Sequence, residues 1–251
     1  MKRLLAAGSG PIFQICKAFR NGERGALHNP EFTMVEWYVP GHDAGAGMRL
    51  LGELAAATLE RGPAETATYA DVFRQTFDVC PHTADVEILR NVVRKHGLVA
   101  PESLGDDRDG WLDFLLTERI QPTLGRARPL ILCDYPASQA ALAQVRAGEP
   151  PVAERFELYV DGVELANGYH ELLDADILNA RSKRNNAQRA GRRQAAATRS
   201  RSSERGDAFR TAGMCGLRVG LRSSVNGQAR RTTDRRCAGF PTGTGVSSIT
   251  F

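Results

Sequence analysis

The sequence predicts an α+β fold: an antiparallel sheet flanked by helices, followed by a basic C-terminal tail. Three observations lead there. Two β-hairpin patterns lie far apart, at residues 12–39 and 154–172. Four stretches of helical periodicity fall between residues 43 and 120, and apolar periodicity stops after about residue 190.

The first hairpin reads as strand, polar loop, strand. Ile12 to Phe19 is apolar and β-prone, and residues 21–30 hold Gly22, Gly25 and Pro30 among polar side chains. From Phe32 to Val39 the pattern alternates. Thr33, Val35, Trp37 and Val39 share one face, which suits a core; Phe32, Met34, Glu36 and Tyr38 share the other. That second face sets a carboxylate beside a phenol. A Glu on a half-buried sheet face is costly unless it meets a cation. Glu36 is therefore either a binder of a cationic ligand or a solvated residue on an edge strand.

Residues 1–7 read as the end of a helix stopped by Gly8 and Gly10. Helices are expected over 43–61 (Met48, Leu51, Leu54, Leu59), 68–77, 85–96 (Val86, Leu89, Val92, Val93, with Asp85 and Glu87 in the first turn and Gly97 as cap) and 111–120 (Trp111, Phe114, Leu115). Their role is packing over the sheet. Leu130 to Tyr135 is a short apolar strand and Pro136 to Ala143 a loop. In the second hairpin Asp161-Gly162 is a two-residue turn signal. It predicts 160 opposite 163, 159 opposite 164 and 158 opposite 165. Leu158, Val160, Val163 and Leu165 then form an apolar face, with Glu157, Tyr159 and Glu164 on the other. Asn167-Gly168 breaks the strand and Glu171 follows Glu164 by seven residues. Carboxylates so placed suit Mg2+, a hard cation that bridges protein and phosphate; the bland alternative is solvated acids on a surface hairpin.

The net charge of +4 divides unevenly. Residues 182–251 carry +12, from fourteen Arg and one Lys against three acids, and the rest carries −8. The five cysteines (Cys16, Cys80, Cys133, Cys215, Cys237) form no CxxC pair, which argues against a zinc site or disulfide framework and fits a reducing, cytoplasmic location. No run approaches the roughly 18 apolar residues of a membrane span, and Met1 to Ala7 is too short for a secretion signal.

The eleven-residue run His28-Asn29-Pro30-Glu31-Phe32-Thr33-Met34-Val35-Glu36-Trp37-Tyr38 resembles motif 2 of class II aminoacyl-tRNA synthetases of the lysine subgroup. It is close to the version in the elongation factor P lysine ligases, and residues 130–143 resemble those ligases more than true lysyl-tRNA synthetases. The resemblance implies a partial class II catalytic domain over residues 1–190, with 191–251 a disordered, low-complexity tail. It implies ATP and Mg2+ as cofactors and lysine or β-lysine as substrate. The product is an aminoacyl-adenylate whose acyl group passes to a lysine of elongation factor P. By resemblance Arg20 is the catalytic residue that grips the α-phosphate; Glu23, Asn29, Glu164 and Leu165 bind ATP; Glu36, Tyr38, Asn167 and Glu171 bind the amino acid; Glu164 and Glu171 hold the metal. One departure stands out: the usual motif has Arg, any residue, then Glu, whereas Gly22 is third here and the acid is Glu23.

The family's motif 1, which builds a homodimer interface, and its motif 3, Gly-x-Asp-Arg, are not recognised. Permitted codons for residues 214–226, read one base later, spell a motif 3, so a shifted reading frame near Gly191 is expected. Impaired activity is expected with it. Two other readings stand beside the ligase: a lysyl-tRNA synthetase fragment, and a noncatalytic protein binding RNA through its basic tail.

Overall fold

The computed structural model describes residues 1–22, 25, 28–191 and 214–221, with residues 188–191 and 214–221 described by backbone alone. A five-residue helix α1 (Lys2–Ala6) leads into β1 (Ile12–Phe19), which pairs antiparallel with β2 (Glu31–Pro40), Gln14 opposite Glu36 and Phe19 opposite Glu31. Helix α2 (Ala44–Leu59) starts where the Asp43 carboxylate accepts the Ala46 N–H at 2.7 Å. A short β3 (Glu65–Thr68) feeds α3 (Tyr69–Phe77), whose first turn is closed by a capping box between Thr68 and Asp71. Helix α4 (Val86–Lys95) is capped by Asp85, which accepts the Ile88 N–H at 2.8 Å, and buries Leu89, Val92 and Val93. Helix α5 (Arg108–Leu115) continues as a π-helical turn to Ile120. There follow β4 (Leu130–Pro136), β5 (Val145–Arg146), β6 (Val152–Val160), β7 (Val163–His170), α6 (Ala175–Gly191) and β8 (Met214–Leu221).

The strands form one sheet in the order β1-β2-β8-β7-β6-β4-β3, with β5 on β6. It is antiparallel except at β3 and β4, which run parallel with α3, α4 and α5 in the crossover between them. This is the α+β architecture, a largely antiparallel sheet flanked by helices, that the two hairpins and four helices predict. Strand β3 went unread in the sequence, because Glu65-Thr66-Ala67-Thr68 is four residues long with no apolar alternation. Helix α6 was also unread; its residues carry no apolar stripe.

Strand β8 lies inside the stretch expected to be a basic tail. Its alternation, Cys215, Leu217, Val219 and Leu221 against Gly216, Arg218 and Gly220, is a period-2 signal that the Arg-rich surroundings obscured. The rest of that stretch, from residue 192 to 213 and from 222 on, lies outside the described residues.

Each face of the sheet has its own core. Helix α2 packs Leu51 and Ala55 on Ile131, Cys133, Phe156, Leu158 and Ala166, with Val35 and Trp37 at the margin. On the other face α3, α4 and α5 bury Tyr69, Phe73, Leu89, Leu112 and Leu115 against Leu132, Tyr135 and Tyr159. Tyr69 stacks on Phe73 with ring centroids 4.8 Å apart. The first-hairpin face assigned to the core is thus covered, but the carboxylate face ends in the more deeply buried residue, Tyr38, beneath Leu5 of α1. Strand β2 is interior and the edge position belongs to β1, so Glu36 is half-buried rather than a solvated edge residue. No described helix is long and apolar enough to cross a membrane.

The β6–β7 turn rests on the loop before β4. Gly125 accepts the Asp161 N–H at 2.9 Å and sits at φ +68°, and a Cβ there would run into the Tyr159 carbonyl and the Val160 backbone. Gly125→Ala is expected to cost about 2–5 kcal/mol, from the left-handed backbone and the overlap together. Gly41→Ala, at φ +81° with open space around it, should cost only about 1–2 kcal/mol. Urea unfolding of the two variants measures the difference.

Candidate functional site

The site is built on the sheet face that carries Phe32, Glu36 and Tyr38. Pairing sets Glu36 opposite residue 218 of β8, residue 218 opposite Asn167, and Asn167 opposite Glu157. Directly opposed residues share a face, so Glu36, Asn167 and Glu157 lie in one row across the sheet. Asn167 owes its place to a bulge. Val160 faces Val163 and Tyr159 faces Glu164, as the turn predicts, but Leu158 faces Ala166 instead of the expected Leu165. The extra residue in β7 moves Asn167 onto the rung of Glu157; an unbroken ladder would have put Ala166 there.

Glu157 is 3% exposed. Its Oε2 accepts from the Tyr159 hydroxyl at 2.6 Å and from the Tyr135 hydroxyl; its Oε1 accepts from Asn167 Nδ2 at 3.0 Å and from the Arg155 guanidinium. Burial, reinforced by the Glu157 charge, pushes both tyrosine hydroxyls well above their ordinary range. Burial, the largest single influence, works against the Arg155 charge, but Glu157 together with Tyr135 and Tyr169 more than offsets it, and the guanidinium is held more firmly protonated than usual. The amide of Asn167 is thereby oriented: Nδ2 points at the carboxylate. Its buried Oδ1 has no hydrogen-bond partner among the described residues. An unpaired acceptor on this row suits an N–H donor such as a ligand ammonium.

Along the strands this face has two chemically different ends. Strands β2 and β7 both run antiparallel to β8 and therefore parallel to each other. At one end the Tyr38 hydroxyl donates to Glu36 Oε1 at 3.2 Å, and Lys2 Nζ lies 2.7 Å from Glu171 Oε2 and 5.8 Å from the Tyr38 ring centroid. Leu5, Ile12 and Leu173 close this end. At the other, the Arg20 guanidinium sits 5.2 Å above the Phe32 ring, and the Arg20 N–H donates to Pro30 O at 2.9 Å, closing the loop. Glu164, opposite Tyr159, stands toward this end on the same face.

The structure therefore brings Glu36, Tyr38, Asn167 and Glu171 to one face and sets Arg20 and Glu164 toward its other end. It does not bring Glu164 and Glu171 together. Seven residues of extended strand separate them, roughly 20 Å at about 3.3 Å per residue, so they do not fit one magnesium ion with bonds of about 2.1 Å. The acid that shares the face of Glu164 at the turn end is Glu157. Among the described residues no group of three His, Cys, Asp or Glu side chains is arranged to hold a metal.

Leu165 is the bulged residue and packs toward the α2 cluster, turned from the row. Asn29 is exposed at the end of the first loop, and Glu23 lies outside the described residues. A cavity of about 210 Å3 lined by Asp43, Met48, Cys133, Asp134, Arg146 and Phe156 lies on the opposite, α2 face. Two participants were missed in the sequence. Glu157 was placed on the polar face, and the alternation Arg155, Glu157, Tyr159 was a signal for a paired internal charge. Lys2 left no local signal, since its partner is 169 residues away.

Glu157→Gln is expected to lower stability by about 3 kcal/mol, because the half-buried Arg155 loses its counter-charge. Adding Arg155→Met should recover part of that loss, because it removes the stranded charge. Urea denaturation of the single and double variants checks both.

The model of the family described as tRNA synthetases class II (D, K and N) matches residues 1–203. A Salmonella gallinarum protein named elongation factor P–(R)-β-lysine ligase is 45% identical over 192 residues, covering 76% of this chain and 59% of the relative. A protein of the same name from Edwardsiella ictaluri is 47% identical over 190 residues, covering 76% and 58%. The Klebsiella pneumoniae protein of that name is 45% identical over 192 residues, with 76% and 59% covered. The chain thus spans somewhat under two thirds of the length of these relatives. That family model covers well over half of the chain, and the chain belongs to the family of class II tRNA synthetases of the D, K and N group.

Proposed function

We propose that this chain carries a site for ATP-dependent activation of lysine or β-lysine, of the kind that hands the acyl group to a lysine of elongation factor P. The observation that supports this best is the polarity of the site: acids and an aromatic ring at one end, Arg20 at the other, and the unpaired Asn167 Oδ1 between them. That arrangement suits a ligand with an ammonium at one end and a carboxylate that must meet a phosphate at the other. The names of the relatives favour elongation factor P over tRNA as the acceptor.

On this reading the substrate carboxylate oxygen attacks the α-phosphorus of ATP. The bond to the β-phosphate bridging oxygen breaks, and pyrophosphate leaves. The acceptor amine then attacks the acyl carbon, releasing AMP. No protein nucleophile is needed; positioning and charge neutralisation carry the rate. Glu36 and Tyr38 orient the amino end, and Asn167 Oδ1 accepts from it while Glu157 holds the amide. Arg20 meets the α-phosphate with planar, charge-assisted bonds. Glu164 stands at the end where magnesium bound with ATP would neutralise phosphate charge.

After residue 190 the sequence contains no Gly-x-Asp-Arg. Loss of one preorganised cationic group costs roughly a hundredfold or more in rate. Lysine- or β-lysine-dependent pyrophosphate exchange by the full chain is therefore expected at about a hundredth, or less, of the rate of a full-length relative. Arg20→Ala should abolish this exchange. Equilibrium binding of lysine should be lost in Glu36→Gln. Equal exchange or binding with norleucine, which lacks the side-chain ammonium, rejects the lysine assignment. A rate matching the full-length relative rejects the impairment.

A further inference from the structure

We propose that Lys2 is a resident ammonium: its side chain fills the seat formed by Glu171 and Tyr38, and so decides how many amino groups the pocket accepts. The inference rests on the reading of this face as an amine site and adds a specificity-determining residue to it.

Glu171 is 4% exposed, and Lys2 Nζ meets its Oε2 at 2.7 Å while lying 5.8 Å from the centroid of the Tyr38 ring. A carboxylate with an aromatic face beside it is the chemistry that recognises a primary alkylammonium ion. Here the chain supplies that ion itself. The delivery is built into the fold. Leu5, 5% exposed, anchors α1 against Tyr38, and Ile12 and Leu173 pack on the same cluster. The lysine stem reaches in from a fixed base.

The two partners are unequally buried. The Glu171 side chain is 6% exposed and that of Lys2 is 32% exposed. A carboxylate so deep is costly to leave uncompensated, so the seat holds a cation whichever molecule provides it. The lysine head, by contrast, can swing toward water on its flexible stem while Leu5 stays in place. An external ammonium therefore enters only by displacing Lys2. While Lys2 is seated, its charge repels a second amino group on the ligand. Removing the Lys2 side chain should convert a self-filled seat into an open one.

The test is thermal stability of the full chain with n-butylammonium chloride, against sodium chloride at equal ionic strength. Lys2→Ala should be stabilised saturably by n-butylammonium, with at least tenfold higher affinity than wild type, and tetramethylammonium, which has no N–H to donate, should not substitute. Lys2→Met, which keeps the apolar stem, should respond like Lys2→Ala if the alanine variant folds poorly, and Lys2→Arg should behave as wild type. Adding Glu171→Gln to Lys2→Met should abolish the response. Equal responses in wild type and both open-seat variants, or no response in either variant, overturn the proposal. If such a failure comes with lysine binding still lost in Glu36→Gln, only the role of Lys2 falls. If lysine binds neither wild type nor the Lys2 variants, the amine-site reading falls with it.

Discussion

The buried carboxylate of Glu157 is the charge around which the centre of the sheet is arranged. Its donors come from three strands: Tyr135 on β4, Arg155 and Tyr159 on β6, and Asn167 on β7. An ionised carboxylate in a dry interior is tolerated only when its lone pairs are met and its charge is balanced. Four donors, one of them a guanidinium, do both. In return they fix the relation of β4, β6 and β7 on this face. The bulge at Leu165 belongs to the same constraint, since it brings Asn167 rather than Ala166 onto the Glu157 rung. A network of this kind is satisfied as a whole or fails as a whole.

From that fixed point the chemistry spreads in two directions along the strands. Toward Tyr38 and Glu171 the surface is acidic and aromatic, and the chain has already placed one ammonium there, that of Lys2. Toward Phe32 and Arg20 it offers a planar cation on an aromatic face. On the proposed reading this separation does what an adenylating site requires. It holds a cationic group and an anionic group of two ligands at opposite ends, so that a carboxylate and a phosphate meet between them. The opposite face of the sheet, under α2, carries apolar packing and a polar cavity at the α2 N-terminus, which Arg155 also lines.

Helices were legible for local reasons. Asp43, Thr68 and Asp85 each cap a helix that the sequence marks, and the stripe Leu89, Val92, Val93 is buried as its spacing requires. The Asp161-Gly162 turn fixed the first two rungs of its hairpin. The bulge one rung on was not legible, because Glu164, Leu165 and Ala166 fit a regular strand as well as a bulged one. A seven-residue spacing suggested that Glu164 and Glu171 share an ion. Once the strand is extended, that spacing places them at opposite ends instead.

By itself the sequence determined the first hairpin, the helices α2 to α5, the Asp161-Gly162 turn and the face of β2 that carries Glu36 and Tyr38, since periodicity, capping and turn chemistry act over a few residues. Only the tertiary structure decided which charges meet. Glu36 and Asn167 reach one row through a strand between them, and Lys2 reaches Glu171 across 169 residues of chain. Those meetings are set by strand order and register, which depend on how distant segments pack and leave no trace in any short window of residues.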